Sequence, residues 1–329
     1  MKARTTMKTR HIPIFMASDD NYLPYLVVAI KSISMHSSDE YVYDVRVLNN
    51  GLSKSSIRKL RHLEFKNVEI TLIDVSRAVE AFREDLSVRL RDYYSEAIFY
   101  RMFIASMFPR MTRAIYIDCD VVLVDDIAKL YFTDIGDNVI GAVADESIPS
   151  VPEFCDYVSD WVGVPAQRYI NSGVLLMNLT AFRKYRIAEK FKKLLTTYNF
   201  DTLAPDQDYL NFLCRGKIYY LDSGWNKQPK TESYTPIEDQ HLIHYNLYNK
   251  PWHYSGIPYE DAFWNVARLT PYYQDILRGY VEYSEDKKRA EAEGGLRLLE
   301  RAAKLARSAG GFFETLGDNF LIPERIAVR

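Results

Sequence analysis

The sequence predicts an α/β fold: a mainly parallel β-sheet with helices on both faces, followed by a smaller helical C-terminal region. Over the first 130 residues, short apolar runs rich in β-branched residues alternate with segments of helical apolar spacing. This alternation is typical of a parallel sheet. A hydrophobic content of 47% among 329 residues is enough to bury the core of one large domain or two modest ones.

The apolar patterns in the first part of the chain predict four strands and the helices that connect them. The strands fall at residues 12–17, 43–48, 68–73 and 113–117, and the helices at residues 22–35, 53–64 and 95–107. Ser53 is a residue type that caps helix N-termini, which supports the start of the second helix.

The second part of the chain has a more mixed pattern. Strands are predicted at residues 139–144, 169–178, 217–221 and 241–245, the second of them antiparallel, with a basic amphipathic helix at residues 181–197. From residue 259 the pattern is helical, and residues 285–308 form a charged helix appended to the core. The chain therefore divides into residues 1–255 and residues 256–329.

Two acidic residues separated by a single residue, Asp118 and Asp120, close the buried strand at residues 113–117. Two carboxylates so placed can both reach one hard cation such as Mg²⁺ or Mn²⁺, which favours metal-assisted chemistry on a phosphorylated substrate. The alternative is that the motif only turns the chain. Asp125 and Asp126 fit better as residues at the start of a helix.

Asp19 and Asp145 also directly follow predicted strands, as Asp118 does. Ligands of open α/β sheets bind beyond the carboxyl ends of the strands. We therefore expect these three carboxylates to line one crevice.

The composition excludes several classes of function. A formal net charge of -2 gives no basic field for nucleic acid. Cys119, Cys155 and Cys214 are odd in number and form no Cys-x-x-Cys motif, so neither a disulfide framework nor a structural zinc site is predicted. A reducing, cytoplasmic compartment is the simplest interpretation. No apolar run approaches membrane-spanning length.

Six short motifs, in order along residues 12–252, resemble those of the family-8 glycosyltransferases, whose GT-A fold has a Rossmann-like sheet. They are residues 17–22 (ASDDNY), 100–101 (YR), 116–120 (YIDCD), 171–178 (NSGVLLMN), 205–208 (PDQD) and 244–252 (HYNLYNKPW). The resemblance implies a retaining transfer of a hexose from UDP-galactose or UDP-glucose, assisted by Mn²⁺, with Mg²⁺ as the alternative. A glycan, a lipid-linked lipopolysaccharide-type sugar or a glycoprotein would be the acceptor.

The resemblance also implies the roles of individual residues. The metal ligands would be Asp118, Asp120 and His244, and the imidazole favours Mn²⁺ over Mg²⁺. Gln207 would face the anomeric carbon, where a poorly nucleophilic amide stabilises positive charge, and Asp206 would hold sugar hydroxyls. The donor would be bound by Ala17, Asp19, Asn21, Arg101, Asp145, Asn171, Gly173 and Lys250.

Some of these residues have further interpretations. Asp19 and Asn21 would contact uracil and ribose, but Asn21 is also suited to cap the first helix. A buried guanidinium needs an anionic partner, so Arg101 is expected to meet Asp118 or a phosphate. Lys250 would bind the diphosphate as a point charge. Gly173 permits close backbone approach to the donor sugar.

The sequence departs from the family pattern at Leu247, where family members often carry glycine. This leaves a nucleotide-sugar-binding protein without turnover as one alternative. The other is a haloacid-dehalogenase-like phosphatase with Asp118 as the nucleophile and Asp120 beside it. That alternative leaves His244 and Lys250 unexplained, and three predicted strands precede its motif.

The C-terminal segment at residues 294–311 is amphipathic and basic. Leu296, Leu299, Ala303 and Leu305 oppose a row of arginine and lysine residues at helical spacing. Such helices lie on anionic membranes, which predicts peripheral contact at the inner membrane face. Packing on the chain's own domain, or on a partner in a homodimer, explains the pattern equally well. The resemblance makes residues 1–255 the catalytic domain and residues 256–329 a helical extension that associates with a membrane or a partner.

Overall fold

The computed structural model describes residues 10–80, 96–248 and 250–320 of the chain. Within these ranges, seven strands form one sheet in the order β3-β2-β1-β4-β7-β6-β8, and two more, β5 and β9, pair separately. The strands are β1 (Arg10–Ala17), β2 (Tyr41–Asn49), β3 (Val68–Asp74), β4 (Arg113–Ile117), β5 (Val121–Leu123), β6 (Ile140–Ala142), β7 (Val174–Asn178), β8 (Ile218–Tyr220) and β9 (Leu242–His244).

The main sheet is largely parallel. Strand β1 is parallel to β2 and to β4, β2 is parallel to β3, and β6 is parallel to β8. Only β7 is antiparallel to its neighbours, β4 and β6. This topology confirms the predicted mainly parallel sheet and its antiparallel strand near residue 178.

Helices connect and cover the strands. They are α1 (Leu23–Met35), α2 (Lys54–Arg61), α3 (Ser76–Glu80), α4 (Ile104–Met107), α5 (Ala128–Tyr131), α6 (Pro152–Asp156), α7 (Leu179–Lys184), α8 (Ile187–Thr197), α9 (Pro205–Leu213), α10 (Glu260–Ala267), α11 (Tyr273–Val281), α12 (Glu285–Ala306) and α13 (Phe312–Leu316). A 3-10 helix at Glu96–Phe103 precedes α4, and a π-helical segment at Tyr157–Val162 follows α6. Ser53 caps α2 as predicted, since its side chain accepts from the Ser56 amide.

Two helix predictions need correction, and helix α9 was missed. The helix predicted at residues 95–107 is mostly a 3-10 helix, and its first residue lies outside the described ranges. Residues 99–103 are all buried, so the sequence shows no alternation of apolar and polar positions that would distinguish a 3-10 helix from an α-helix. The helix at residues 181–197 is two helices, because Arg186 has a left-handed φ of 56°. The helix α9 was not predicted, although Pro205 stands at its start.

The core lies on both faces of the sheet because side chains alternate along each strand. On β4, Ala114 and Tyr116 belong to one buried cluster, and Ile115 and Ile117 belong to the other. Helix α1 packs into the second cluster. All four residues are nearly inaccessible to solvent, so the strand that ends at Asp118 is fixed from both sides.

The C-terminal helix α12 packs against α6 and the π-helical segment. Ala302 and Leu305 are buried there, whereas Leu296 is 62% exposed. The packed side of α12 is therefore only partly the apolar face predicted from sequence. Among the described residues, no helix combines the length and apolarity needed to cross a membrane.

Candidate active site

Strand register brings two carboxylates and an imidazole together. Ile117 pairs with Val174, and the amide of Asp118 donates to the carbonyl of Gly173 at 2.8 Å. In the smaller sheet, Val121 pairs with His244. The ends of β4, β5, β7 and β9 therefore meet at one point. Asp118, Asp120 and His244 lie there with ligand atoms within 4.8 Å of one another.

The hydrogen bonds of His244 determine which of its nitrogens faces the carboxylates. Nδ1 lies 2.8 Å from Oδ1 of Asn226, and the Asn226 amide nitrogen donates to Oδ1 of Asn171 at 3.0 Å. Nδ1 is therefore the donor, and in the neutral ring Nε2 presents a lone pair. Nε2 lies 3.2 Å from Asp120 Oδ1 and 3.8 Å from Asp118 Oδ2.

This donor set fits a divalent cation. An unprotonated nitrogen facing two carboxylates is electrostatically unfavourable unless a cation stands between them. The amide of Asn226 orients the imidazole from behind, as partners of metal-binding histidines do. Gly173 allows the backbone to lie close to both His244 and Asp118. A Cβ atom at this position would lie 2.2 Å from His244 Cε1 and 2.8 Å from Asp118 Oδ2.

Two cations neutralise the carboxylates in this structure. Arg101 Nη2 donates to Asp118 Oδ1 at 2.8 Å, and its Nε lies 3.3 Å from Asp206. The expectation that Arg101 meets Asp118 is confirmed. Lys250 pairs directly with Asp120 and donates to the carbonyl of Tyr245.

These pairs shift the acidity of the two carboxyl groups in opposite directions. Burial raises the pKa of Asp118, and the charge of Arg101 only partly offsets this. Burial also acts on Asp120, but the charge of Lys250 and its hydrogen bond counter this effect, and the pKa of Asp120 lies below its ordinary value. Asp120 is thus the more firmly ionised of the two.

A second polar cluster surrounds Asp145, which is 4% exposed. Its carboxylate accepts hydrogen bonds from the amide and hydroxyl of Ser147, and from the side-chain amides of Asn171, Gln207 and Gln228. Burial opposes ionisation, but these donors hold the pKa of Asp145 below its ordinary value. Asp145 is therefore an anion that orients three amides.

Gln207 is held at both ends of its side-chain amide. Its nitrogen donates to Asp145 Oδ2 at 3.2 Å, and its oxygen accepts from the backbone amide of Ser172 at 3.0 Å. The Ser172 hydroxyl donates to Asp206 Oδ2 at 2.8 Å. Helix α9 thus presents Asp206 and Gln207 to the loop that precedes β7.

The loop after β1 lies at the same edge of the sheet. The carbonyl of Ala17 accepts from the thiol of Cys119 at 3.0 Å, which ties the end of β1 to the Asp118–Asp120 segment. Asp19 Oδ1 accepts from the amides of Asn21 and Tyr22 at 3.0 Å. The expected capping of α1 by Asn21 is therefore wrong, since Asp19 satisfies these amides and the Asn21 side chain is exposed.

The structure unites most of the predicted site residues through direct contacts. A continuous chain of hydrogen bonds runs from Asp145 through Asn171 and Asn226 to His244, and so links the second cluster to the carboxylate–imidazole cluster. Sequence reasoning missed Asn226 and Gln228. Asn226 ends a single 3-10 turn at Ser223–Asn226 and Gln228 follows in an irregular segment, and neither is long enough for periodicity or spacing to distinguish a buried amide from a surface one.

Leu247 keeps the conformation that glycine would favour. Its φ is 52°, in the left-handed region, and its side chain is 48% exposed. A leucine in this region costs about 1–2 kcal/mol. Leu247 therefore occupies a backbone conformation that glycine would adopt at a lower cost.

An α/β sheet with a carboxylate–imidazole cluster at its carboxyl edge defines the class as a ligand-binding α/β protein suited to a divalent cation. The model of glycosyl transferase family 8 matches residues 13–256. The chain therefore belongs to this family of glycosyltransferases, whose enzymes use a UDP-sugar donor and a divalent metal. This assignment leaves the phosphatase alternative without support.

Several known proteins are similar to this chain. A putative glycosyltransferase of Haemophilus influenzae is 27% identical over 73% of this chain and 72% of its own length. The lipopolysaccharide 1,2-glucosyltransferase of Escherichia coli is 27% identical over 82% of each chain. General stress protein A of Bacillus subtilis is 24% identical over 78% of this chain and 93% of its own length.

Solved structures share the fold. The galactosyltransferase LgtC, determined with donor and acceptor sugar analogues, matches 79% of this chain and 96% of its own with a TM-score of 0.62 and 24% identity. The bifunctional glycosyltransferase WbbM matches 84% of this chain with a TM-score of 0.69 and 21% identity, but this chain spans only 53% of that protein. These likenesses confirm the GT-A fold.

Proposed function

We propose that this protein is a retaining glycosyltransferase that moves galactose or glucose from a UDP-sugar to a glycan, lipopolysaccharide-type or glycoprotein acceptor with the help of Mn²⁺. The observation that carries the proposal is the cluster of Asp118, Asp120 and His244, with ligand atoms within 4.8 Å of one another. The names of the lipopolysaccharide glucosyltransferase and of LgtC support a hexose donor and a saccharide acceptor.

The three residues of this cluster would hold the cation. Two carboxylate oxygens and one imidazole nitrogen suit Mn²⁺ better than Mg²⁺, which rarely accepts nitrogen ligands. When bound, the cation would supply Lewis-acid stabilisation of the charge that develops on the departing UDP. Asn226 would keep His244 in the tautomer with Nε2 free.

Residues on both sides of the cluster would hold the donor. Ala17, Asp19 and Asn21 would contact the uridine, because Ala17 ends β1 and the other two residues follow it at the same edge of the sheet. Lys250 would bind the diphosphate after exchanging its contact with Asp120 for a phosphate oxygen. Arg101 would keep Asp118 ionised against the effect of burial.

The second cluster would hold the sugar. Asp145 would accept hydrogen bonds from its hydroxyls, the amide of Asn171 would accept from them or donate to them, and Gly173 would allow the ring to approach the backbone. Asp206 would also hold hydroxyls. Gln207 would stand beside the anomeric carbon, fixed at both ends of its amide.

The amide of Gln207 favours one of the two routes to retention. An amide is a poor nucleophile, so a covalent intermediate on Gln207 is disfavoured and front-face attack is the route we propose. The anomeric C–O bond breaks, and the acceptor hydroxyl attacks from the same face. Its proton passes to the departing phosphate oxygen. The oxygen of Gln207 stabilises the positive charge on the sugar.

Residues 1–255 would form the catalytic domain and residues 256–329 a helical extension. Supporting this division, the family match ends at residue 256. Peripheral membrane contact through residues 294–311, a cytoplasmic location and a homodimer stay predictions.

The experiment is UDP release from UDP-glucose and from UDP-galactose, with Mn²⁺ and with EDTA. We expect Mn²⁺-dependent release from one donor, and its loss in Asp120→Ala. A circular dichroism spectrum like that of the wild type would show that the variant is folded. Release that persists in EDTA or in Asp120→Ala would refute the metal assignment. UDP binding without release would favour the non-catalytic alternative.

A further inference from the structure

The turn that carries Lys250 is closed by the two residues that follow Trp252. The carbonyl of Lys250 accepts from the backbone amides of His253 and Tyr254, both at 3.0 Å. The position of the Lys250 backbone therefore depends on where His253 and Tyr254 are held. Lys250 is 5% exposed, so the surrounding atoms limit the positions that its side chain can take.

A single carboxylate of the C-terminal helix α12 contacts both of these residues. Glu291 accepts from the hydroxyls of Tyr254 and Tyr283, each at 2.5 Å, and its Oε1 lies 3.3 Å from Nδ1 of His253. His253 stacks on Tyr283 with ring centroids 3.8 Å apart and an angle of 7° between the planes. The Glu291 side chain is 18% exposed, so these contacts are largely shielded from water.

The opposite side of the turn packs on the catalytic core. Trp252 stacks on Tyr25 of α1 at 4.0 Å, and the Lys250 amine lies 5.5 Å from the centre of the Trp252 ring. The turn is thus held between α1 and the C-terminal helices. Burial lowers the pKa of His253 to about 4, so its ring is neutral at pH 7 and adds no charge beside Lys250.

We propose that Glu291 is a positioning residue for donor binding, which acts by holding the Lys250 turn through Tyr254 and His253. This inference rests on the proposed function, in which Lys250 binds the diphosphate. The contact of Glu291 with the Lys250 turn would connect α12 to the donor site. The charged helix at residues 285–308 would therefore contribute to donor binding through this contact.

The test uses calorimetry to measure the affinity of UDP for the full-length protein in the presence of Mn²⁺. UDP is the probe because it carries the diphosphate and does not depend on which hexose is transferred. We expect Glu291→Ala to weaken UDP binding about fivefold, as for a residue coupled to a contact residue. Glu291→Gln should restore most of the affinity, because a side-chain amide can accept from one phenol and donate to the other.

A matched control stands on the same helix. Glu293 is exposed and lies 3.6 Å from Arg297, so Glu293→Ala should bind UDP as the wild type does. An equal loss in Glu293→Ala would refute the proposal, because the effect would then come from α12 as a whole.

A double-mutant cycle separates positioning from general destabilisation. In a Lys250→Ala background the turn no longer presents the amine, so adding Glu291→Ala should change UDP affinity by less than about twofold. The same fivefold loss in both backgrounds would overturn the inference and leave the proposed function intact. If Lys250→Ala does not weaken binding, the route through Lys250 is wrong. If the wild type does not bind UDP, the proposed function fails as well.

A milder variant covers the case in which Glu291→Ala does not fold. Tyr254→Phe removes one hydroxyl and keeps the ring, so the helix packing is preserved. It should weaken UDP binding in the wild-type background and have no effect in Lys250→Ala. An unchanged affinity in Tyr254→Phe, with Lys250→Ala weakened, would contradict the proposal.

Discussion

Replacement of Gly173 by alanine tests the candidate metal site most directly. A Cβ atom at this position would lie 2.2 Å from His244 Cε1 and 2.8 Å from Asp118 Oδ2. Gly173 is not among the glycines with positive φ, so alanine suits its backbone. The substitution therefore changes the space beside two proposed metal ligands and little else.

The size of the effect follows from these distances. Ordinary contact begins at 3.4 Å, so the imidazole must retreat by about 1.2 Å, the difference between 3.4 Å and 2.2 Å. His244 is 2% exposed and held by Asn226 at 2.8 Å, which leaves it no free direction. A misplacement of about 1 Å costs roughly 100-fold in rate. We expect kcat/KM for the donor to fall by about that factor.

The assay compares Mn²⁺ affinity and UDP release in Gly173→Ala with those in Gly279→Ala. Gly279 lies in α11, and a Cβ atom there would have nothing within 4 Å, so alanine should leave activity unchanged and stabilise the helix by up to about 1 kcal/mol. Wild-type Mn²⁺ affinity and turnover in a folded Gly173→Ala would refute the reasoning, since His244 would then not be confined beside the carboxylates.

Three further outcomes are expected. Leu247→Gly relieves a left-handed leucine that is 48% exposed and should raise the free energy of unfolding in urea by roughly 0.5–1 kcal/mol; a decrease would contradict this. Asn226→Ala removes the partner of His244 and should weaken Mn²⁺ binding about 10- to 100-fold by calorimetry, whereas unchanged affinity would show that the partner is dispensable. Burial raises the pKa of Asp208 from 3.8 to about 6. Its contribution to stability is therefore full below pH 3.8 and is lost as pH rises through 6. The free energy of unfolding relative to Asp208→Asn should fall by about 2 kcal/mol from pH 4 to pH 8, and a constant difference would refute the shift.

The sequence was sufficient to predict eight of the nine described strands and the residues at their ends, whereas the three-residue strand β5 (Val121–Leu123) was missed. The strand at residues 113–117 was predicted with its observed bounds, because it is short, apolar and followed at once by two carboxylates. Parallel strands place their carboxyl ends at one edge, so Asp118 and Asp145 were expected to be neighbours. The distant His244 needed the family resemblance, since a lone histidine carries no pattern of its own.

The remaining features depend on tertiary contacts that leave no periodic pattern. The break at Arg186 requires a left-handed residue that is not glycine, and propensity favours a continuous helix there. Asn226 and Gln228 are buried amides at and just after a short 3-10 turn, and only the positions of Asn171 and Asp145 explain them. In the sequence, Glu291 cannot be distinguished from the other charged residues of α12. Only the structure shows its contacts with Tyr254 and Tyr283.

The balance of buried charge favours binding of the proposed cation and the proposed donor together in this site. Asp118, Asp120 and Asp206 face Arg101 and Lys250, which leaves one net negative charge in a region of low exposure. A divalent cation alone would reverse that charge, and a diphosphate alone would triple it; either change is costly where water is excluded. Together their charges cancel, and the net charge of the site is preserved. Lys250 would then be free to leave Asp120 for the diphosphate, because a bound cation would neutralise that carboxylate. The contact between Lys250 and Asp120 thus keeps the lysine next to the place where the diphosphate is proposed to bind.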